Sequence, residues 1–336
     1  MAATIKDIAR LSGLSTATVS KFINGFPVRE KNRIILEQVI REQNYRINES
    51  ARALKTNRSR TIGLLVSKIG DIYASELASA VVQELRKYHY SLMICESQRD
   101  LRKEREAIDF LVAKQVDGIM GIFMSNDGMY YKKIFDEYAI PVVVFDQQLD
   151  ADVFDTVVID NVNAAYEATK CLIEAGHKDI AIVRGPVGHF TADRRWEGYL
   201  RAMSEAGLPV AENRVLQVNY SDTNVYSRIK EHFSESDRPS AVFSVNYFTT
   251  MSVIMAMNEL DISVPGDISL FGFDNYYLSS LVKPRLWLME QPMGKIAEEG
   301  TKLLMRRIDN GGDNDSVNTV VVAANIIEGE SILKIE

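Results

Sequence analysis

Residues 5–25 read IKDIARLSGLSTATVSKFING, a pattern typical of two short helices joined by a tight turn. In the first half, apolar side chains recur at the spacing of one helix face: Ile5, Ile8 and Ala9. Gly13 permits a positive φ at the turn, and Ser15 is placed to cap the second helix by accepting a hydrogen bond from one of its free N–H groups. The apolar residues of the second half are expected to pack on the first helix: Leu14, Val19, Phe22 and Ile23.

The opposite face of the second helix carries small, polar or cationic side chains: Thr16, Ala17, Ser20 and Lys21. A DNA major groove admits one α-helix, and its floor offers donors, acceptors and thymine methyl groups. Thr16 and Ala17 are therefore predicted to touch methyl groups, and Lys21 to reach guanine acceptors. The same pattern also fits a helical hairpin whose outer face is merely solvated.

Charge is distributed unevenly along the 336 residues. Residues 1–60 hold 12 Lys and Arg against 5 Asp and Glu, a net charge of +7, and the remainder of the chain carries −14. A cationic head on an acidic body indicates that only the head meets a polyanion. A basic arm of an RNA-binding or membrane-surface protein would show the same split.

The composition is that of an ordinary soluble protein, with 46% hydrophobic and 25% charged residues. No apolar run approaches the roughly 20 residues that span a bilayer, and no apolar signal region is visible near the amino terminus. Cys95 and Cys171 lie far apart in apolar surroundings, so they are expected to be reduced core residues rather than a disulfide or a metal site. These features favour a cytoplasmic protein.

A third helix is predicted over residues 28–44, after the breaker Gly25-Phe26-Pro27. Its expected apolar stripe is Ile34, Ile35, Val39 and Ile40. Residues 48–55 are short and hold too few apolar side chains for a stable isolated helix. Residues 56–60 are polar and basic, and they mark a domain boundary.

From Thr61 onward the sequence alternates between apolar runs and amphipathic stretches. Eight near-continuous apolar runs are predicted to be strands: 62–66, 92–96, 118–122, 142–145, 156–159, 180–184, 241–245 and 269–273. The amphipathic stretches between them are predicted to be helices, around 76–87, 105–114, 164–175, 195–206 and 251–260. About eight strands exceed one comfortable sheet, so we predict a small all-α head and an α/β body with two lobes.

Polar and aromatic side chains follow several of the predicted strands. Ligands of open parallel sheets bind at the carboxyl ends of the strands, so these residues are expected to converge: Ser67, Lys68, Asp71, Tyr73, Asp146, His189, Phe190, Arg195, Asn246, Tyr247, Asp274 and Asn275. Asp, Asn and Arg can satisfy sugar hydroxyls, which donate and accept, while Tyr73 or Phe190 stacks on the ring. The set favours a polyhydroxyl ligand. Asp146, Asp160 and Asp274 would also fit as caps of helices or turns, and Arg195 as an ion-pair partner.

Several short segments carry a resemblance to a known family. In the head they are TIKDIA at 4–9, GLS at 13–15, ATVSK at 17–21 and NG at 24–25. This set resembles the helix-turn-helix of the lac repressor family, which usually has Arg where this chain has Lys21; the change keeps the charge but loses the bidentate fork. Further matching segments cover nearly the whole body: DN at 160–161, GHKDIA at 176–181, VPGDIS at 264–269, GFDN at 272–275 and QP at 291–292.

The resemblance implies a hinge helix that orders on DNA, pairs with its twin across a dimer and wedges a leucine into the minor groove. That leucine is Leu54, with Lys55 beside it. A plain linker whose Leu54 packs on the body also fits the residues. The predicted DNA contacts are Thr4, Ser15, Thr16, Ala17, Thr18, Ser20, Lys21, Asn24, Tyr45, Ala51, Leu54 and Lys55.

The resemblance also implies a bilobed body like that of periplasmic sugar-binding proteins, with two parallel doubly wound sheets. The implied domains are a helix-turn-helix domain at 1–47, a hinge helix and linker at 48–60, one lobe at 61–160 with 291–322, and the other at 161–290 with 323–336. The implied effector-binding residues are Tyr73, Asp146, Arg195, Asn246 and Asp274, to which the strand-end pattern adds Phe190. Two pairs depart from the family: Asn246-Tyr247 replaces Asn-Asp, and Asp71-Ile72 replaces Asn-Pro.

The sequence thus predicts a sequence-specific DNA-binding transcriptional regulator, a repressor of carbohydrate-utilisation genes gated by a small sugar or sugar derivative between the lobes. Its expected partners are a pseudo-palindromic double-stranded DNA operator, the carbohydrate-like effector and a second copy of the chain. No cofactor, metal site, catalytic residue or membrane partner is predicted.

Three other functions are weighed against this one. A regulator of the same fold controlled mainly by a protein partner, such as a phosphocarrier, is left open by the residues. An enzyme would need a signature, but the chain holds no G-x-S-x-G, H-E-x-x-H, C-x-x-C, Walker loop or G-x-G-x-x-G. An intracellular or transported sugar-binding protein fits the body but does not explain the basic head.

Overall fold

The structure, a computed structural model, describes residues 3–23, 26–45, 58–220, 224–274, 276–310 and 316–335. Within these ranges the chain forms twelve α-helices, one short 3₁₀ helix and twelve strands. The chain divides into two compact units, Met1–Ser59 and Arg60–Glu336. No helix in the described part of the chain is long and apolar enough to cross a membrane.

Three helices form the described part of the first unit: α1 Ile5–Ser12, α2 Thr16–Ile23 and α3 Glu30–Glu42. Gly13 has a φ of 65°, and Ser15 Oγ accepts a hydrogen bond from the Thr18 N–H at 3.2 Å, so the predicted turn and cap are confirmed. Buried side chains from all three helices meet in one small core: Ile8, Ala9, Val19 and Leu36.

Two details of the head differ from the sequence prediction. The third helix is shorter than residues 28–44, and its buried stripe is centred on Leu36, with Val39 and Ile40 packed beside it. Ile34 lies two residues, or about 200°, away from Leu36 around the helix, so it is 54% exposed. Ile5 is 36% exposed at the first position of α1. Because this core is small, only one or two side chains of each helix are buried in it.

The second unit contains two six-stranded sheets. The first sheet consists of β1 Thr61–Val66, β2 Ser91–Glu96, β3 Gly118–Gly121, β4 Val142–Phe145, β5 Asp155–Ile159 and β11 Thr319–Val322. The second consists of β6 Ile180–Arg184, β7 Val215–Gln217, β8 Ala241–Ser244, β9 Ser269–Phe273, β10 Trp287–Glu290 and β12 Asn325–Ile327.

The strand orders are β11-β5-β4-β3-β1-β2 and β12-β10-β9-β8-β6-β7. The described strand pairs are parallel except for β12, which runs antiparallel to β10 at the edge of the second sheet. The predicted fold class, a small all-α head with a body of two parallel, doubly wound sheets, is confirmed.

Nine helices of the described residues flank the sheets: α4 Ile72–Lys87, α5 Leu101–Ala113, α6 Gly128–Tyr138, α7 Asn161–Glu174, α8 Phe190–Glu205, α9 Val225–Ser234, α10 Tyr247–Glu259, α11 Tyr276–Leu281 and α12 Met293–Asp309. Neighbouring residues of one strand pack on different helices. Leu64 packs in the cluster that includes α4 and α12, whereas Leu65 packs with α5 and α6. Coverage on both faces explains why the strands read as continuous apolar runs.

The chain changes sheets at the ends of three strands. It leaves the first sheet after β5, and α7 then packs on strands of the second sheet. It returns after β10, because α12 packs on β3, β4 and β5. Between β11 and β12 it passes to the second sheet again.

All eight predicted strands are confirmed to within one residue at either end. Four strands are missing from the prediction: β7, β10, β11 and β12. They contain three or four residues each, and their side chains are mostly half-buried or exposed, so no continuous apolar run marks them. The predicted helices are also present, whereas α6, α9, α11 and α12 were not predicted.

Candidate functional site

A cavity of about 630 Å³ lies in the second unit, lined by residues that follow strands of both sheets. The first sheet contributes the segment after β1 and the end of β4, and the second sheet contributes the segments after β6, β8 and β9. The six predicted effector-binding residues all line this cavity: Tyr73, Asp146, Phe190, Arg195, Asn246 and Asp274. The structure therefore brings them together, as expected for the carboxyl ends of parallel strands.

Arg195 is held rigidly in the cavity wall. Its side chain is only 4% exposed, and its Nε donates to Asn161 Oδ1 at 2.8 Å while Nη1 donates to the Val245 carbonyl at 2.5 Å. The guanidinium also lies over the Phe273 ring, 3.7 Å from its centroid. Its hydrogen-bond acceptors are neutral, so Arg195 is not consumed by an ion pair, and no described residue accepts from its Nη2.

Asp274 follows β9 in a left-handed backbone conformation, with a φ of 65°. Its carboxylate accepts a hydrogen bond from Gln291 Nε2 at 2.6 Å and another from the Tyr247 N–H at the start of α10. Burial raises the pKa of Asp274, although Arg195 and these two donors oppose the rise. Gln291, which was not predicted as a site residue, is 6% exposed, and its Oε1 has no partner among the described residues.

Asp146 follows β4 in the same left-handed conformation, with a φ of 63°. No hydrogen bond from a described residue reaches its carboxylate. Enclosure in the cavity raises the pKa of Asp146 to about 7; Arg195 lowers it, and the nearby Asp274 charge adds to the rise. Asp146 caps no helix of the described residues, whereas Asp274 accepts from the first N–H of α10, so the capping alternative holds for Asp274 alongside its place in the cavity.

Two tyrosines enter the cavity from opposite lobes. Tyr73 belongs to α4 of the first lobe, and burial together with the charges of Asp146 and Asp274 raises its pKa. Tyr220 comes from the second lobe and was missed, because it follows the short strand β7. It is enclosed against Gly185, where an added Cβ would stand 2.1 Å from the Tyr220 hydroxyl. Desolvation raises the pKa of Tyr220 to about 12.

The other two predicted residues have partners within the chain. Asn246 caps α10 by accepting from the Thr249 N–H at 2.8 Å, and its side chain also hydrogen-bonds to Tyr220. Phe190 begins α8 and lies under Arg194, whose guanidinium carbon is 5.7 Å from the ring centroid. Asn246 therefore shapes the wall through Tyr220, and Phe190 presents a half-buried ring to the cavity.

Two hydrogen bonds cross the cavity mouth between the lobes. Arg99, which follows β2, donates through Nη1 to the Tyr220 carbonyl and pairs through Nη2 with Asp71 Oδ2 at 3.1 Å. Asn126 Nδ2 donates to the Gly188 carbonyl at 3.1 Å. We call these contacts the mouth contacts. They join residues that line the cavity from the two lobes.

The head presents its own candidate surface on α2. Thr16, Ala17 and Lys21 are exposed, whereas Ser20 is half-buried. Val19, on the opposite face, is fully buried against α1 and α3. The helix therefore separates an inner apolar face from an outer face of small and cationic side chains.

Three other predicted DNA contacts have roles within the head, and four lie outside the residues that the structure describes. Thr4 caps α1 and exchanges hydrogen bonds with Asp7, and Ser15 caps α2 with Thr18 as its partner. Tyr45 packs partly against the head core. The remaining four predictions lie outside the described residues: Asn24, Ala51, Leu54 and Lys55.

Comparisons with known proteins agree with this arrangement. Residues 4–48 match the model of bacterial regulatory proteins of the lacI family, and residues 59–301 match that of periplasmic binding proteins and the sugar binding domain of the LacI family. The chain belongs to the LacI family. Family membership confirms the resemblance inferred from the short segments, and it identifies a DNA-binding transcriptional repressor with a ligand-binding domain.

Relatives of this LacI-family chain extend over nearly its full length. It is 33% identical over 333 residues to the HTH-type transcriptional repressor PurR of Proteus mirabilis, covering 98% of this chain and 97% of that one. It is 32% identical to PurR of Pasteurella multocida, covering 94% and 95%. These relatives are named as repressors rather than enzymes.

Solved structures show the same fold. A putative ribose operon repressor from Burkholderia thailandensis is 27% identical with a TM-score of 0.71, covering 80% of this chain and 99% of that one. The lac repressor dimer bound to operator and an anti-inducer is 20% identical with a TM-score of 0.82, covering 99% and 100%. At that identity the second likeness supports the fold alone.

Proposed function

We propose that this LacI-family repressor binds a pseudo-palindromic operator as a homodimer and is controlled by a small, carbohydrate-like molecule in the cavity between its lobes. The observation that carries the proposal is the convergence of six strand-end residues, predicted from the sequence, in one cavity of ligand size. Its basic head supplies the surface for DNA, and the genes it controls would serve carbohydrate utilisation.

The DNA-binding side of the proposal rests on α2. Thr16 and Ala17 are small and exposed, so they allow the helix to approach the floor of the major groove, where Lys21 reaches guanine acceptors. Two heads related by a two-fold axis would read matched half-sites, which is why a pseudo-palindrome is expected. Residues 48–60, as a hinge helix and linker, would place Leu54 in the minor groove.

Control by the ligand follows from the arrangement of the body. We assign one lobe to 61–160 with 291–322 and the other to 161–290 with 323–336, which follows the sheet to which each strand belongs. A ligand held by residues of both lobes favours one angle between them. A change of that angle shifts DNA affinity without contact between ligand and DNA. The proposed role requires no catalysis, and the proposed location is the bacterial cytoplasm, at the nucleoid.

The first prediction tests recognition by α2. Lys21→Ala should lower the affinity for the best genomic palindrome and weaken its discrimination against a mismatched half-site, by about 1–3 kcal/mol. Lys31→Ala is the matched control, because Lys31 is an exposed lysine on α3 and its removal changes the charge equally. Fluorescence anisotropy at fixed salt measures both. Equal effects of the two substitutions, or no sequence preference in the unaltered protein, would overturn the assignment.

A further inference from the structure

A buried carboxylate holds the segment 122–126, which joins β3 to α6. Glu104 lies on α5, is only 1% exposed and does not line the cavity. Its Oε2 accepts a hydrogen bond from the Met124 N–H at 2.8 Å, and its Oε1 accepts one from the Tyr131 hydroxyl. The Tyr131 oxygen in turn accepts from the Ser125 N–H at 3.0 Å. One carboxylate therefore fixes two successive backbone N–H groups.

This network needs the ionised form of Glu104. Both carboxylate oxygens face donors, so a proton on either oxygen would displace one of the two hydrogen bonds. Burial raises the pKa of Glu104, and the hydrogen bonds from Tyr131 and from the Met124 N–H oppose the rise. An amide offers one acceptor oxygen instead of two. Glu104→Gln therefore leaves one of these two donors without its acceptor.

The segment that Glu104 fixes carries one side of a mouth contact. Asn126, the next residue after Ser125, donates through Nδ2 to the Gly188 carbonyl of the other lobe at 3.1 Å. The Asn126 carbonyl itself accepts from the Asp150 N–H at 2.6 Å. The backbone of Asn126 is thus held on both sides, and this fixes the point from which its side chain reaches across the mouth.

A second carboxylate holds the facing segment of the other lobe. Asp193, on α8, accepts from the Gly188 N–H through Oδ2 and from Arg184 Nη2 through Oδ1, each at 2.8 Å. Arg184 is itself 6% exposed, and its guanidinium carbon lies 4.8 Å from the centroid of the Trp196 ring. Gly188 has a φ of 83°, a conformation that favours glycine. Asp193, which does not line the cavity, therefore fixes the residue whose carbonyl Asn126 contacts.

We propose that Glu104 and Asp193 are positioning residues of the cavity mouth, each fixing within its own lobe one partner of the Asn126–Gly188 hydrogen bond. Each acts through the segment that it holds, because neither lines the cavity. Loss of either carboxylate misplaces one partner, weakens the contact between the lobes and raises the population in which the mouth is open. The inference deepens the proposed function, since it rests on control through the angle between the lobes and names residues that set it.

The second prediction measures each substitution in the opposite lobe of the full, ligand-free chain. In Glu104→Gln, amide hydrogen exchange at residues 187–190 should become about two- to tenfold faster, the factor expected for loss of one exposed hydrogen bond. Asp193→Asn should likewise speed exchange at residues 122–126. Glu106→Gln removes an exposed charge from the same helix as Glu104 and should change neither rate.

A third substitution separates positioning from a general loss of stability. Asn126→Ala removes the mouth contact itself, so Glu104→Gln or Asp193→Asn should then cause no further increase in the opposite lobe. Substitutions that merely loosened the fold would add to the effect of Asn126→Ala. The Asp193 side chain is 42% exposed, so Asp193→Asn is expected to fold and tests the proposal even where loss of the buried Glu104 charge is not tolerated.

Two results would overturn the inference. One is an unchanged exchange rate in the opposite lobe in either variant, when its thermal transition shows that it is folded. The other is the same increase in the Asn126→Ala background as in the unaltered protein. Because the exchange measurement uses neither ligand nor DNA, its failure is distinct from failure of the proposed operator binding, which anisotropy with the palindrome tests.

Discussion

At the scale of single residues, the cavity shows how burial changes the chemistry of a carboxyl group. Asp146 has no donor from the described chain, and enclosure raises its pKa from 3.8 to about 7 despite the nearby Arg195. Asp274 faces the same guanidinium but also accepts from Gln291 and from the Tyr247 N–H. The two acids of one cavity therefore differ in the hydrogen-bond donors that oppose the rise in pKa caused by burial.

The third prediction follows from the sign of this shift. Because the folded state holds the Asp146 proton more tightly than the unfolded state, protonation stabilises the fold at low pH. That contribution is lost as the pH rises through about 7. Asp146→Asn cannot ionise, so its melting temperature relative to the unaltered protein should rise from pH 5 to pH 8 and level off above that range.

Thermal melts of the ligand-free proteins across this pH range measure the difference. Asp152→Asn is a suitable control, because Asp152 is an exposed acid in the segment between β4 and β5. Its difference from the unaltered protein should stay nearly constant with pH. A constant difference for Asp146→Asn as well would contradict the enclosure of Asp146.

At the scale of an element, α12 shows how one helix packs against a neighbouring helix and a sheet. It packs on α4 and on four strands of the first sheet, β3, β4, β5 and β11. The close approach to β4 occurs at Gly300, where an added Cβ would stand 2.4 Å from the Phe145 ring. Gly294 lies in the first turn of the same helix and has nothing within 4 Å of that position. The glycines of one helix thus have opposite tolerance for a side chain.

The fourth prediction compares these two glycines. Gly300→Ala should destabilise the body by about 1–3 kcal/mol, because the methyl group must displace a fully buried ring. Gly294→Ala should be neutral or should stabilise by up to about 1 kcal/mol, since alanine is the better helix former. Urea unfolding measures both. Similar effects of the two substitutions would show that the ring moves aside freely.

At the scale of the whole body, the two lobes are joined by three crossings of the chain and, at the cavity mouth, by hydrogen bonds from Arg99 and Asn126. The crossings are covalent. The mouth contacts are exposed hydrogen bonds, which contribute only about 0.5–1.5 kcal/mol each. Opening of the mouth should therefore cost little free energy, and single substitutions should change how often it occurs.

The fifth prediction removes one mouth contact. Arg99→Ala deletes the donor to the Tyr220 carbonyl and leaves Asp71 without its ion pair, so the mouth should open more often. Amide hydrogen exchange should become faster around residues 186–190 and 219–220. Arg102→Ala, which removes an exposed arginine paired with Glu106 within α5, should leave those rates unchanged. Unchanged rates in Arg99→Ala would show that the mouth contacts do not hold the lobes.

Local patterns in the sequence determined the helical pair, the alternation of strands and helices, and the set of polar residues at strand ends, from which the family resemblance selected most of the residues that meet in the cavity. Each of these depends on neighbours within a few positions, through helix periodicity, caps or the polar residue that ends a buried strand. Only the tertiary structure decided which of Ile34 and Leu36 enters the head core, that Tyr220 and Gln291 join the cavity, and that Arg99 reaches across it. Those outcomes depend on residues distant in the chain, because short edge strands and contacts between lobes leave no periodic signal.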